Sequence, residues 1–117
     1  MHNFHNLQIW MDAIDLADKV YAITQGFPLE ERYGISSQMQ RAAVSVSSNI
    51  AEGAGRDSDK DFAHFLSIAL GSLYELESQV IISLRRSYLS EDEFKILSNE
   101  IESLQKRILS FKQHIKY

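Results

Sequence analysis

A single proline, Pro28, interrupts this chain of 117 residues, and five glycines accompany it. Proline and glycine are the commonest helix breakers, so a chain poor in both has few places to turn. Apolar residues recur at three- and four-residue steps in four segments, and none shows the sustained alternation of a strand. The expected fold is therefore all-α, an up-down-up-down antiparallel four-helix bundle, with residues 1–117 forming one domain. That length suits a single core and is too short for two.

The four helices can be placed from their stripes. Trp10, Ala13, Ile14, Ala17, Val20, Tyr21 and Thr24 define the first, which Gly26-Phe27-Pro28 terminates. Ile35, Met39, Ala42, Ala43, Val46 and Ile50 define the second, ending at Gly53. Ser58 is a suitable N-cap for the third, with Asp59 and Asp61 complementing the dipole in its first turn. Its stripe is Phe62, Leu66, Ala69, Leu73, Leu76, Val80 and Leu84. Ser90-Glu91-Asp92-Glu93 reads as a capping box for the fourth, and Phe94, Leu97, Ile101, Leu104, Ile108, Phe111 and Ile115 continue it. Those residues alternate steps of three and four, the seam of shallowly crossing bundle helices.

The chain carries 12 Lys and Arg against 16 Asp and Glu, a formal charge of -4, which disfavours broad nonspecific binding to nucleic acid. Without cysteine, disulfide and thiolate chemistry are excluded, and a reducing cytoplasm is the expected setting. The start MHNFHNLQIW lacks the basic and apolar regions of a signal peptide. No apolar stretch approaches the roughly 20 residues of a spanning helix, so no membrane partner is expected.

Charge is unevenly distributed. Asp12, Asp15, Asp18 and Lys19 give the first helix a solvated face. The fourth is acidic at its start and basic at Lys106, Arg107, Lys112 and Lys116, matching its macrodipole. By contrast, no charge lies between Arg41 and Glu52, and only Glu75 and Glu77 lie between Asp61 and Arg85. Opposite the core stripe of the third helix stand His64, Ile68, Gly71, Glu75, Ser78 and Ile82. The second helix presents small residues, Ser48 among them. Such faces are poorly suited to water, and self-assembly through Ser48, His64, Ile68, Gly71, Ser78 and Ile82 is expected.

The stretch SVSSNIAEGAGR adds a polar stripe, Ser45, Ser48, Asn49, Glu52 and Arg56, beside the apolar one. Half-buried polar groups need partners. Asn49, Glu52, Ser72 and Glu75 are accordingly expected to form a polar clasp between the second and third helices. Gly53 and Gly55 are expected to supply left-handed conformations in the turn. Arg56 and Lys60, beside free amides at a helix start, form a candidate anion site. Arg85, Arg86, Lys106 and Arg107 complete the candidate nucleic-acid contacts.

FPLEERYGISSQMQRAAVSVSSNIAEGAGR, followed by DFAHFLSIALGSLYELESQV, resembles the four-helix-bundle proteins of the 23S rRNA intervening-sequence family. The likeness extends over nearly the whole chain from LQIWMDAIDLADKVY. Its most specific parts are Arg41-Ala42-Ala43, Asn49-Ile50-Ala51-Glu52-Gly53 and Gly71-Ser72-Leu73-x-Glu75. Accessory variability proteins of diversity-generating retroelements are similar in fold, form pentameric barrels and bind nucleic acid through basic surfaces. The resemblance implies a homopentamer without established enzymatic activity, with RNA as a partner class. This chain is acidic where the nucleic-acid-binding relatives are basic.

Enzymatic readings find little footing. A di-iron bundle needs Glu from two helices and Glu-x-x-His on the other two, whereas this chain offers only Asp61-x-x-His64. His2 and His5 are expected in a frayed terminus. Trp10, Tyr21 and Tyr74 read as core or interface aromatics. No catalytic residue, metal, cofactor or small-molecule substrate is expected. The competing functions are an oligomeric module engaging RNA, an oligomeric scaffold for a protein partner, and, least favoured, a metal-dependent bundle enzyme.

Overall fold

A computed structural model describes residues 2–115. Lys116 lies outside them. Four helices account for most of the chain: α1 (Gln8–Thr24), α2 (Ile35–Ala54), α3 (Asp59–Arg85) and α4 (Glu91–His114). Short 3-10 turns occupy Phe4–Asn6 and Leu29–Glu31. Each helix packs against its neighbour in sequence, and α1 closes the ring against α4. Antiparallel register follows from side-chain pairs. Gln40 of α2 donates to Thr24 of α1, Ser45 of α2 meets Ser72 of α3, and Gln105 of α4 donates to Glu77 of α3.

The fourth helix begins as its residues require: Ser90 Oγ accepts from Glu93 N, and the Glu93 carboxylate accepts from Ser90 N. Leu97, Ile101, Leu104 and Ile108 are buried, while Phe94, Phe111 and Ile115 pack against the core from its ends. Ser58 likewise caps α3 by accepting from Asp61 N. The apolar stripes of α2 and α3 face inward as expected, apart from Ile35 and Leu84, which are half-buried. α3 is also long and apolar enough, with a mean hydropathy of 1.3 over 18 residues, to cross a membrane. That departs from the expectation that no such stretch exists. Length and composition alone give weak support for a span, because the core helix of a soluble bundle passes the same test.

α1 is rotated relative to its expected orientation. Ile9 and Leu16 are buried, whereas Ile14 and Tyr21 remain 37% and 45% exposed. Asp12 and Lys19 also depart from the expectation. They are not simply solvated but reach across to α4, where Asp12 accepts from Arg107 at 2.5 Å and Lys19 pairs with Glu100. Burial of Ile9 and Leu16 sets the orientation of α1, and the two ion pairs are compatible with it.

The turns also correct two expectations. No glycine has a positive φ. Gly55 is right-handed (φ -83°), and Gly53 lies within α2. A Cβ at Gly53 would stand 2.7 Å from Phe65 Cβ and 2.9 Å from Phe62 Cδ1, so close approach of α3 is what excludes a side chain there. The left-handed residue is Ser87 (φ 61°), just beyond α3. Its N–H bonds Leu84 O, and Tyr88 N–H reaches back to Ser83 O, the paired bonds of a Schellman turn.

The N-terminal segment is docked, contrary to expectation. His2 N–H donates to Ala54 O at 2.8 Å, which satisfies a carbonyl at the end of α2. Its ring packs 4.9 Å from that of Phe62, and Phe4 and His5 lie against Trp10.

Candidate functional site

The polar stripe on α2 does meet α3, though not through all four residues expected of it. Ser45 Oγ and Ser72 Oγ are 2.8 Å apart, and Asn49 donates to Ser45 O at 2.8 Å and to Ser45 Oγ at 3.0 Å. Ser45 is thus the centre of the half-buried network. Glu52 points outward and accepts from Arg56 at 2.8 Å, one turn along its own helix. Glu75 accepts from Gln79 at 3.3 Å. Each carboxylate is therefore engaged by a residue one turn along its own helix rather than across the α2–α3 crossing.

On either side of that network lies the face expected to mediate assembly. Ser48, His64, Ile68, Gly71, Ser78 and Ile82 are all exposed. Val44 on α2 joins them, as do Tyr74 and Ile81 further round α3. A Cβ added at Gly71 would meet nothing within 4 Å. The face is therefore apolar, small-sided and open.

The six candidate cations do not converge. Arg56 is held by Glu52 and lies over the Phe65 ring, 4.8 Å from its centroid. Lys60 is exposed, the second residue of α3. Arg85 and Arg86 lie at the opposite end of that helix, about 37 Å away at 1.5 Å per residue. The Arg86 guanidinium is held more firmly protonated than usual, chiefly by the adjacent Tyr88 hydroxyl and further by the Glu31 carboxylate. Lys106 is exposed on α4, whereas Arg107 is engaged by Asp12 and Ser103. The start of α3 is a poor anion site. Ser58 occupies the Asp61 amide, and Asp57, Asp59 and Asp61 surround it with negative charge.

Between α1 and α4 a cavity of about 290 Å³ is lined by Asp12, Asp15, Asn99, Glu100, Ser103, Leu104 and Arg107. Burial tends to raise the Asp12 carboxyl, but hydrogen bonds from Arg107 and Gln8 and the charges of Arg107 and Lys19 outweigh it. The group is held below the ordinary carboxylate range. Asp61 and His64 both lie on the exposed side of α3 rather than in the bundle core. Among the described residues no cluster of three or more His, Cys, Asp or Glu side chains is arranged to hold a metal ion.

Comparison with known proteins supports the architecture. The family described as "23S rRNA-intervening sequence protein" matches residues 5–110. A solved structure of similar fold is a protein with unknown function from the S23 ribosomal protein family of Bacteroides thetaiotaomicron VPI-5482. It aligns with a TM-score of 0.83 at 22% identity over 90% of this chain and 95% of that one. No curated protein matches the chain.

Proposed function

The chain belongs to the 23S rRNA-intervening sequence protein family, and on that premise we propose that it is a non-catalytic, self-assembling helical module. The outer face of α2 and α3 is its contact surface. One observation carries this reading: Gly71 sits in the middle of a 27-residue helix with nothing within 4 Å of where its side chain would be. Glycine inside a helix costs about 1 kcal/mol relative to alanine, and the single chain gains nothing from it at this position. A second backbone approaching Gly71 supplies the reason. Ile68, Ile82 and Val44 around it provide apolar area for such a contact, and Ser48 and Ser78 keep the approach close.

Five subunits is the number implied by the family resemblance. RNA remains the partner class that resemblance suggests, but the six cations give no single footprint on one subunit. An RNA-binding surface would have to be built by bringing subunits together. A cytoplasmic setting accords with the absence of cysteine.

Gly71→Arg tests the contact surface. The variant should keep its helical circular dichroism, because the site is open in the single chain, and should lose mass by light scattering. Retention of the parental mass would refute the proposed face.

A further inference from the structure

The amides at the start of α3 are ringed by Asp57, Asp59 and Asp61, but Lys60 in that same first turn lies on the side of α3 that meets the end of α4. Lys60, Ala63, His64 and Ser67 of α3 and Lys112 of α4 surround a cavity of about 220 Å³. Lys60, His64 and Ser67 follow steps of four and three and so share one side of α3. Lys112 enters from the last turn of α4, with its stem half-buried.

Among the described residues neither lysine has a carboxylate within ion-pairing distance; the four ion pairs present involve other cations. Of the acids at this end of the bundle, Asp59 faces His2 at 3.5 Å, and Asp57 and Asp61 flank Lys60 in sequence without pairing with it. Two ammonium groups on one small cavity repel each other unless an anion lies between them. Ala63 leaves the floor low. Ser67 has already given its hydroxyl hydrogen to Ala63 O at 3.1 Å, so the available donors are the two lysines and the imidazole of His64.

We infer that this notch binds a phosphate group. Three donors from two helices suit a tetrahedral oxyanion with several free oxygens better than a planar carboxylate, which favours a guanidinium fork. The cavity is smaller than the roughly 300–1,000 Å³ pockets that engulf whole ligands, so it fits the phosphate group and leaves the rest of the molecule outside. This site goes beyond the assembly reading, although it shares His64 with the face proposed for assembly.

Calorimetric titration of the intact protein with inorganic phosphate and with pyrophosphate, at ionic strength matched with chloride, tests the inference. Saturable binding is expected, and Lys60→Ala and Lys112→Ala should each weaken it about fivefold or more. Lys95→Ala, which removes the same charge elsewhere on α4, should leave it unchanged. A short oligonucleotide with and without a 5′-phosphate identifies the source. A 5′-phosphorylated strand that binds more tightly than inorganic phosphate points to a nucleic-acid end. Equal affinities point to a small phosphorylated compound. Absence of saturation, or equal losses in all three lysine variants, would overturn the site. Scattering on the same samples keeps this result separate from the assembly question.

Discussion

Gly53→Ala examines whether close helix approach, rather than backbone conformation, is what requires glycine at the end of α2. The added methyl would lie 2.7 Å from Phe65 Cβ, 2.9 Å from Phe62 Cδ1 and 3.3 Å from Phe62 O. Carbon atoms in contact prefer roughly 3.5–4.0 Å, so α2 and α3 would have to separate by something under 1 Å. Neither neighbour yields easily. Phe65 Cβ is tied to the α3 backbone, and the Phe62 ring is 1% exposed. Overpacking of this kind costs about 1–3 kcal/mol. Alanine returns at most about 1 kcal/mol of helix propensity, and less here because position 53 is in the final turn. The expected outcome is a net loss of about 0.5–2 kcal/mol. In urea, with a slope of about 1–3 kcal/mol/M, the midpoint should fall by about 0.2–2 M. Gly55→Ala is the matched control, since its Cβ would meet only Ala51 O and Glu52 O at 3.7 Å and its φ is right-handed. It should be neutral or slightly stabilising. If Gly53→Ala proves as stable as Gly55→Ala at the same protein concentration, the close-approach argument is wrong.

Other parts of the structure give equally direct expectations. Ser87→Gly should raise stability by about 1 kcal/mol, a few degrees in Tm, because φ 61° strains any residue with a Cβ; an unchanged Tm would show that the strain is absent. Asp12→Asn should lower stability at neutral pH by no more than about 1 kcal/mol, given how exposed the pair with Arg107 is. Because the folded Asp12 pKa lies below its unfolded value, that contribution is present above about pH 4 and is lost as pH falls through the folded pKa. Variant and parent should therefore converge in acid, and a gap that persists there would contradict the assignment. Ser45→Ala should cost about 1 kcal/mol by leaving Ser72 without its partner and Asn49 with only the Ser45 carbonyl, against an Asp15→Ala control near zero; equal midpoints would mean the network is solvated.

How far residues alone reveal this molecule depends on whether a local rule or a distant partner decides the matter. α4 is legible because its heptad seam and the Ser90–Glu93 box are both local and agree. α1 is less so. The run from Ile9 to Thr24 contains two overlapping apolar stripes, and packing against helices far away in the sequence chooses the one with Ile9 and Leu16. Gly53 is conspicuous in the chain, but glycine at a helix end serves both conformation and proximity. Only the position of Phe65 separates the two. Ser87 gave no signal, since serine rarely takes the left-handed role. Of the candidate contacts, Asn49 and Ser72 belong to one network through Ser45, whereas Glu52 and Arg56 satisfy each other. The notch at Lys60 and Lys112 joins residues 52 positions apart and becomes visible only once α3 and α4 are packed.

The central claim is that the open face around Gly71 is covered by further copies of the same chain. Sedimentation velocity of the unmodified protein at micromolar concentration, in moderate salt, tests it most directly. The chain mass is 13.4 kDa, and the account predicts one sharp species at a whole multiple of that mass. A single species at 13.4 kDa across the concentration range would contradict it.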